Sequence, residues 1–225
     1  MKSYNDYFYG LKVLVYDFDG VIVDTSTLKT ETFRDIYSLY PKFFEKIWNF
    51  HLENKGISRK RQFKHLVCNL IGDKGERASK HVNKLLQIYK SKILPKLINV
   101  KYIDGSYKTI RYTNKKFSTY IVSNAPTSEL ELIINKKKIG NYFKKIFSSE
   151  TGINKSQALN KILKIEKIPP ECLLFVGDTS KDQVSAKKSL VKFVGLQNNF
   201  SNFFGDYGII IKKMNELYIR LTRIK

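Results

Sequence analysis

Apolar runs rich in Val, Ile, Leu and Phe, each bounded by polar or turn-forming residues, punctuate the chain. They are "LKVLVYDF" (11–18), "FSTYIVS" (117–123), "KIFSS" (145–149), "CLLFVGD" (172–178), "KFVGL" (192–196) and "GIIIK" (208–212). Near-continuous runs of this kind suit strands covered on both faces. Helical patterns lie between them. In "TSELELIINKKKIG" (127–140), Leu130, Ile133 and Ile134 share one face, and Gly140 is expected to cap the C-terminus. In "NKSQALNKILKIEKI" (154–168), Ala158, Leu159, Ile162, Leu163 and Ile165 form the apolar stripe, and Asn154 and Gln157 are spaced as a capping box. Strands alternating with helices after residue 100 predict right-handed crossovers and a mainly parallel sheet, hence an α/β, Rossmann-like doubly wound core.

Residues 25–98 follow a different pattern. They carry amphipathic helical periodicity with many aromatics, including Phe33, Ile36, Tyr37, Phe43, Phe44, Ile47 and Trp48, and no strand-like run. The expectation is a helical module inserted after the first strand, leaving 1–24 and 99–225 as the core, with Pro95 marking the module's exit.

Length and composition sharpen this picture. With 225 residues and 42% hydrophobic content, the chain suits one substantial core with a smaller insertion rather than two large domains. "MKSYNDYFYG" lacks the apolar segment of a secretory signal, and no stretch approaches the roughly 20 apolar residues of a membrane span. A cytoplasmic location with no membrane partner is expected. Cys68 and Cys172 show no CxxC spacing and are expected to be free thiols. Lys and Arg together number 41 against 20 Asp and Glu, a formal net charge of +21. The lysines are scattered rather than clustered, which argues against nucleic acid as the partner and favours small anionic substrates.

The chemistry-bearing residues gather where the predicted strands end. In open parallel sheets, ligands bind outside the carboxyl ends of the strands. Asp17 and Asp19 follow the first run, Ser123 and Asn124 the second, and Gly177, Asp178 and Asp182 the fourth. Lys155 opens the helix after the third. Burying unpaired acids is costly, so a cation is expected to neutralise them. Each residue also has a plainer reading. Asp17 and Asp19 are compatible with a turn before Gly20, Ser123 with a cap before Pro126, Lys155 with a solvated lysine, and Asp178 and Asp182 with a turn and an acidic first helical turn. His51, His65 and His81 show no metal spacing.

In order and spacing, "DFDGVIVDT", "IVSN", "NKSQAL" and "GDTSKD" resemble the four motifs of the haloacid dehalogenase-like superfamily of phosphohydrolases. The resemblance covers essentially the whole chain and points to the branch containing phosphoglycolate phosphatases and β-phosphoglucomutases. It implies that Asp17 attacks phosphorus and that Asp19 acts as acid and then base. Mg²⁺ would be held by Asp17, the main-chain carbonyl of Asp19, and Asp178, with Asp182 as an outer partner of the metal or of Lys155. Ser123, the backbone near Asn124, and Lys155 would neutralise the transferring phosphoryl group. The family's glycine-lysine-proline context around the lysine is absent here.

The inserted module then corresponds to the family's α-helical (C1-type) cap domain. In "NKGISRKRQF" (54–63), Gly56 permits a close approach, Ser58 caps the next helix, and Arg59 is the candidate for reading a substrate phosphate or carboxylate, with Thr25 and Lys29 as further candidates. The expected activity is a Mg²⁺-dependent phosphatase acting on a small phosphorylated metabolite, a sugar phosphate or a phosphoglycolate-like ester, in a monomer or weak dimer. A phosphoglucomutase-like transferase is the alternative, although Lys29 stands where that branch places a histidine. A nucleic-acid end-processing or binding protein ranks lower. A dehalogenase ranks lower still, because such relatives generally lack an acid at the position of Asp19.

Overall fold

The structure is a computed structural model that describes residues 6–54, 57–198 and 201–224. Two compact units partition the chain: Met1–Asp24 with Val100–Lys225, and Thr25–Asn99.

The first unit is built on a six-stranded, all-parallel sheet in the order β3-β2-β1-β4-β5-β6. Its strands are β1 (Val13–Tyr16), β2 (Ser118–Val122), β3 (Lys145–Phe147), β4 (Leu173–Gly177), β5 (Lys192–Leu196) and β6 (Ile209–Ile211). Each falls inside one of the apolar runs. β1 lies between β2 and β4, with Tyr16 in register with Ile121 on one side and Val176 on the other. Every residue of β1 and β4 is buried, which is why those runs show no alternation.

The pleat sends alternate residues to opposite faces. Val13, Val15, Tyr120, Val122, Leu173 and Phe175 pack on one side against helices α7 (Lys155–Glu166) and α8 (Ser180–Lys188). Tyr16 points to the other side, where its hydroxyl meets Thr113 Oγ1 of α5 (Ser106–Thr113) at 2.9 Å. The sheet is therefore covered on both faces. Burying one ring such as Phe175 from water contributes about 1.5–3 kcal/mol. Helices α6 (Thr127–Lys137) and α9 (Met214–Thr222) complete the unit.

The second unit contains α1 (Ser26–Tyr37), α2 (Phe44–Glu53), α3 (Arg59–Lys64), a π-helical segment (His65–Ile71) and α4 (Gly75–Leu97). Its core is aromatic: the Phe33 ring lies 4.7 Å from that of Tyr89 and 5.5 Å from that of Phe63. Ser58 caps α3 by accepting the Arg61 N–H.

Some local expectations need correcting. Gly140 is not the cap of α6; Lys138 makes the left-handed turn (φ 54°). Ile139 then donates its N–H to the Ile134 carbonyl and buries its side chain, so the hydrophobic contact of a Schellman turn fixes the stop two residues early. Pro95, expected near the module's exit, does lie close to the end of the unit at Asn99, within the last turn of α4, where only one intrahelical bond is lost. Ile165 is 48% exposed, because the inward line of α7 runs through Lys155, Leu159, Ile162 and Glu166 and leaves Ile165 at its edge. Gly56 lies outside the described residues.

Candidate active site

β1 ends at Tyr16, and the next residue, Asp17, is buried at the carboxyl end of the sheet (5% exposed). Its Oδ1 accepts the N–H of Phe18 at 2.7 Å. Gly20 turns the chain immediately afterwards with φ 76°, a conformation that favours glycine, and its N–H donates to the Val23 carbonyl. Asp19 sits in that turn, half-buried, close enough for its charge to act on Asp17.

Lys155 is the first residue of α7, which Asn154 and Gln157 open with a reciprocal capping box. Its Nζ lies 2.8 Å from Asp17 Oδ2 and 2.6 Å from Asp182 Oδ1, and the lysine is 8% exposed. The plain reading of Lys155 as a solvated side chain is therefore wrong. Asp182, fully buried in α8, has its other oxygen engaged as well: Oδ2 accepts the N–H of Thr179 at 3.1 Å and its hydroxyl at 2.6 Å. Asp182 is thus a direct partner of Lys155, and its carboxylate is fixed by three donors. A side chain at Gly177 would collide with this arrangement, since a Cβ there would lie 2.3 Å from Asp182 Cβ.

Asp178 follows β4 and is also buried; its Oδ2 accepts from Asn198 Nδ2 at 3.0 Å. Carboxylate oxygens of Asp17, Asp178 and Asp182 lie within 4.8 Å of one another. Burial raises the Asp17 carboxyl to about 7, with Lys155 opposing the rise and Asp182 and Asp19 adding to it. Burial, joined by the charges of Asp17 and Asp182, likewise holds Asp178 well above the usual carboxylate range. The same two acids hold Lys155 firmly charged despite its desolvation. Only when all three are ionised do these carboxylates, against one ammonium, carry two excess negative charges, and a bound divalent cation is what would hold them ionised. Hard oxygen donors and a formal charge of −2 fit a hard dication such as Mg²⁺.

Ser123 directly follows β2, is buried, and accepts the Ala125 N–H on its hydroxyl at 3.1 Å. Asn124 beside it is exposed. Thr25 and Arg59 belong to the helical unit. Thr25 is fully buried at the start of α1, and the Arg59 guanidinium lies 3.8 Å from the Tyr89 ring centroid. Sequence reasoning passed over Thr179, Asn198 and Ser201. Thr179 carried a readable signal, the spacing of a helix-opening Thr three residues before an acid. Asn198 and Ser201 carried none, lying in an irregular segment some distance along the chain.

The aspartate cluster and the lysine lie at the carboxyl ends of the strands, where open doubly wound α/β sheets bind their ligands. Residues 14–196 match the model of the haloacid dehalogenase-like hydrolases, and the chain belongs to that family. A phosphoglycolate phosphatase of Pseudomonas fluorescens (strain Pf0-1) is 31% identical over 102 residues, covering 44% of this chain and 38% of the relative. The chain thus matches well under half the length of that curated relative. Among solved structures, YfnB from Bacillus subtilis bound to magnesium superposes with TM-score 0.70 at 20% identity, covering 94% of this chain and 98% of the other. CbbY from Rhodobacter sphaeroides, in complex with phosphate, does so with TM-score 0.71 at 12% identity over 92% and 96% of the two chains. Among the described residues, no helix is long and apolar enough to cross a membrane.

Proposed function

We propose that the chain is a Mg²⁺-dependent phosphatase hydrolysing a small phosphorylated metabolite, a phosphoglycolate-like ester or a sugar phosphate, through an aspartyl-phosphate. The observation that carries this reading is the buried cluster of Asp17, Asp178 and Asp182, with Lys155 bridging Asp17 and Asp182. The phosphoglycolate phosphatase activity named for the Pseudomonas relative supports the substrate class.

Asp17 and Asp178, with the main-chain carbonyl of Asp19, would hold Mg²⁺. The ion supplies charge neutralisation for the transferring phosphoryl group and keeps Asp17 ionised. An Asp17 carboxylate oxygen attacks phosphorus, and the bond to the ester oxygen breaks. Asp19 gives that leaving oxygen its proton. Asp19 then takes a proton from water, which attacks the phosphoaspartate and releases phosphate with Asp17 regenerated. The Phe18 N–H and the Lys155 ammonium orient the Asp17 carboxylate before the attack. Lys155, the Ser123 hydroxyl and backbone N–H groups near Asn124 offer donors to the phosphoryl oxygens. Asp182 keeps Lys155 oriented.

The helical unit is read as the cap, with Arg59 and Thr25 contributing to recognition of the leaving group. Phosphate release from a panel of small phosphomonoesters, with Mg²⁺ and with chelator, tests the proposal. Release is expected only with Mg²⁺, and Arg59→Ala is expected to change the ranking of substrates. An absolute requirement for a bisphosphate activator would instead indicate a transferase.

A further inference from the structure

A segment distant in sequence holds Asp178. After β5 the chain leaves the sheet through Gln197 and Asn198 and returns through residues 201–207 to β6. Asn198 Nδ2 donates to Asp178 Oδ2 at 3.0 Å. Ser201 Oγ donates to the Asp178 main-chain carbonyl at 2.8 Å, with the Leu196 carbonyl also in reach at 3.1 Å, and it accepts the Asn198 N–H at 2.9 Å. Asp178 is therefore gripped at one carboxylate oxygen and at its own backbone, while its Oδ1 has no hydrogen bond among the described residues.

The gripping segment is itself fixed. The amide of Gln183 in α8 brackets it, donating to the Tyr207 carbonyl at 2.9 Å and accepting the Phe204 N–H at 3.1 Å. The Tyr207 hydroxyl donates to the Val191 carbonyl at 2.6 Å. The Phe203 ring fills the space over Gly195, where a Cβ would come within 2.7 Å of it. Phe203 and Tyr207 both pack against the core under the sheet.

We propose that Asn198 is a positioning residue for the divalent cation: by donating to Oδ2 it turns Oδ1 of Asp178 toward the ion and holds that carboxylate to one-oxygen coordination. The inference rests on the reading of Asp17 and Asp178 as the Mg²⁺ site. Mg²⁺ demands near-octahedral geometry with few protein ligands, so the orientation of each carboxylate counts. An amide suits the task because its NH₂ donates without adding a charge to the cluster. Ser201 acts with it, fixing the backbone from which the carboxylate projects.

Isothermal titration of Mg²⁺ into metal-free protein tests this without reference to turnover. Asn198→Leu keeps the side-chain shape and removes the donor; it is expected to weaken Mg²⁺ binding by about 10–100-fold, the usual effect of removing a partner of a metal-binding group. Asn198→Gln restores a donor and is expected to bind between the two. Tyr207→Phe removes a distant anchor of the segment but leaves both donors to Asp178, so it is expected to melt lower and to weaken Mg²⁺ binding less than Asn198→Leu. A weakening below about fivefold in a folded Asn198→Leu protein overturns the proposal. Where that variant does not fold, Ser201→Ala is judged by the same criterion. A wild-type protein that takes up no Mg²⁺ removes the cation site and this inference together; wild-type binding with indifferent variants removes this inference alone.

Discussion

Replacing Lys155 by methionine deletes one positive charge while keeping most of the apolar stem, and the outcome follows from the geometry. The ammonium touches Asp17 at 2.8 Å and Asp182 at 2.6 Å, and all three groups are buried. At an effective dielectric of about 20, each contact is worth roughly 6 kcal/mol of gross attraction. Most of that offsets the desolvation of the three groups. What remains visible on removing one partner of a buried pair is about 3–5 kcal/mol. For a chain of this size, about 1 kcal/mol moves Tm by roughly 2–4 °C, so Lys155→Met in chelator near neutral pH is expected to melt roughly 6–20 °C lower. The exposed Lys161 serves as control; Lys161→Met is expected to change stability by no more than about 0.5 kcal/mol. Thermal and urea unfolding of both variants measures the difference. A Lys155→Met protein within about 2 °C of the wild type would show that the lysine is not the counter-charge of the cluster.

Asp17→Asn is expected to abolish phosphate release with unchanged circular dichroism, and retained turnover in the purified variant would remove Asp17 as the nucleophile. Gly177→Ala forces a methyl group against Asp182 Cβ and is expected to cost about 1–3 kcal/mol in urea unfolding; an unchanged midpoint would mean that α8 yields freely there. Glu166, at the far end of α7, accepts from Tyr120, from Ser118 Oγ at 3.2 Å and from Lys144 Nζ at 2.9 Å. Its burial raises its pKa, but these three donors outweigh that, and the carboxyl is held below its ordinary value. A depressed folded pKa adds stability that is present above the unfolded value, 4.5, and is lost as pH falls through the folded one. The stability gap between wild type and Glu166→Gln is therefore expected to be full at neutral pH and to close in acid; a gap independent of pH would contradict it.

Much of this was legible in local pattern. The apolar runs marked every strand of the sheet, most plainly the central β1 and β4, where burial on both faces leaves almost no place for a polar residue. The capping box at Asn154 and Gln157 was legible because both partners lie within one turn. The motif acids and Lys155 were legible through their order along the chain. The α7 stripe was legible at Ala158, Leu159, Ile162 and Leu163 and failed only at Ile165, because apolar residues alone were counted and the end of the inward line is held by Glu166.

By itself, then, the sequence determined the element types, the α/β core with its helical insertion, and the set of acids at the strand ends. These follow from periodicity and from the position of charges relative to apolar runs, both short-range properties. Only the tertiary structure decided how the charges pair. It gave both oxygens of Asp182 to Lys155 and Thr179, and it brought Asn198 and Ser201 from an irregular segment onto Asp178. The reason is physical: a buried charge takes its partners from whatever donors the packed sheet and helices bring within about 3 Å, and chain separation does not constrain that choice.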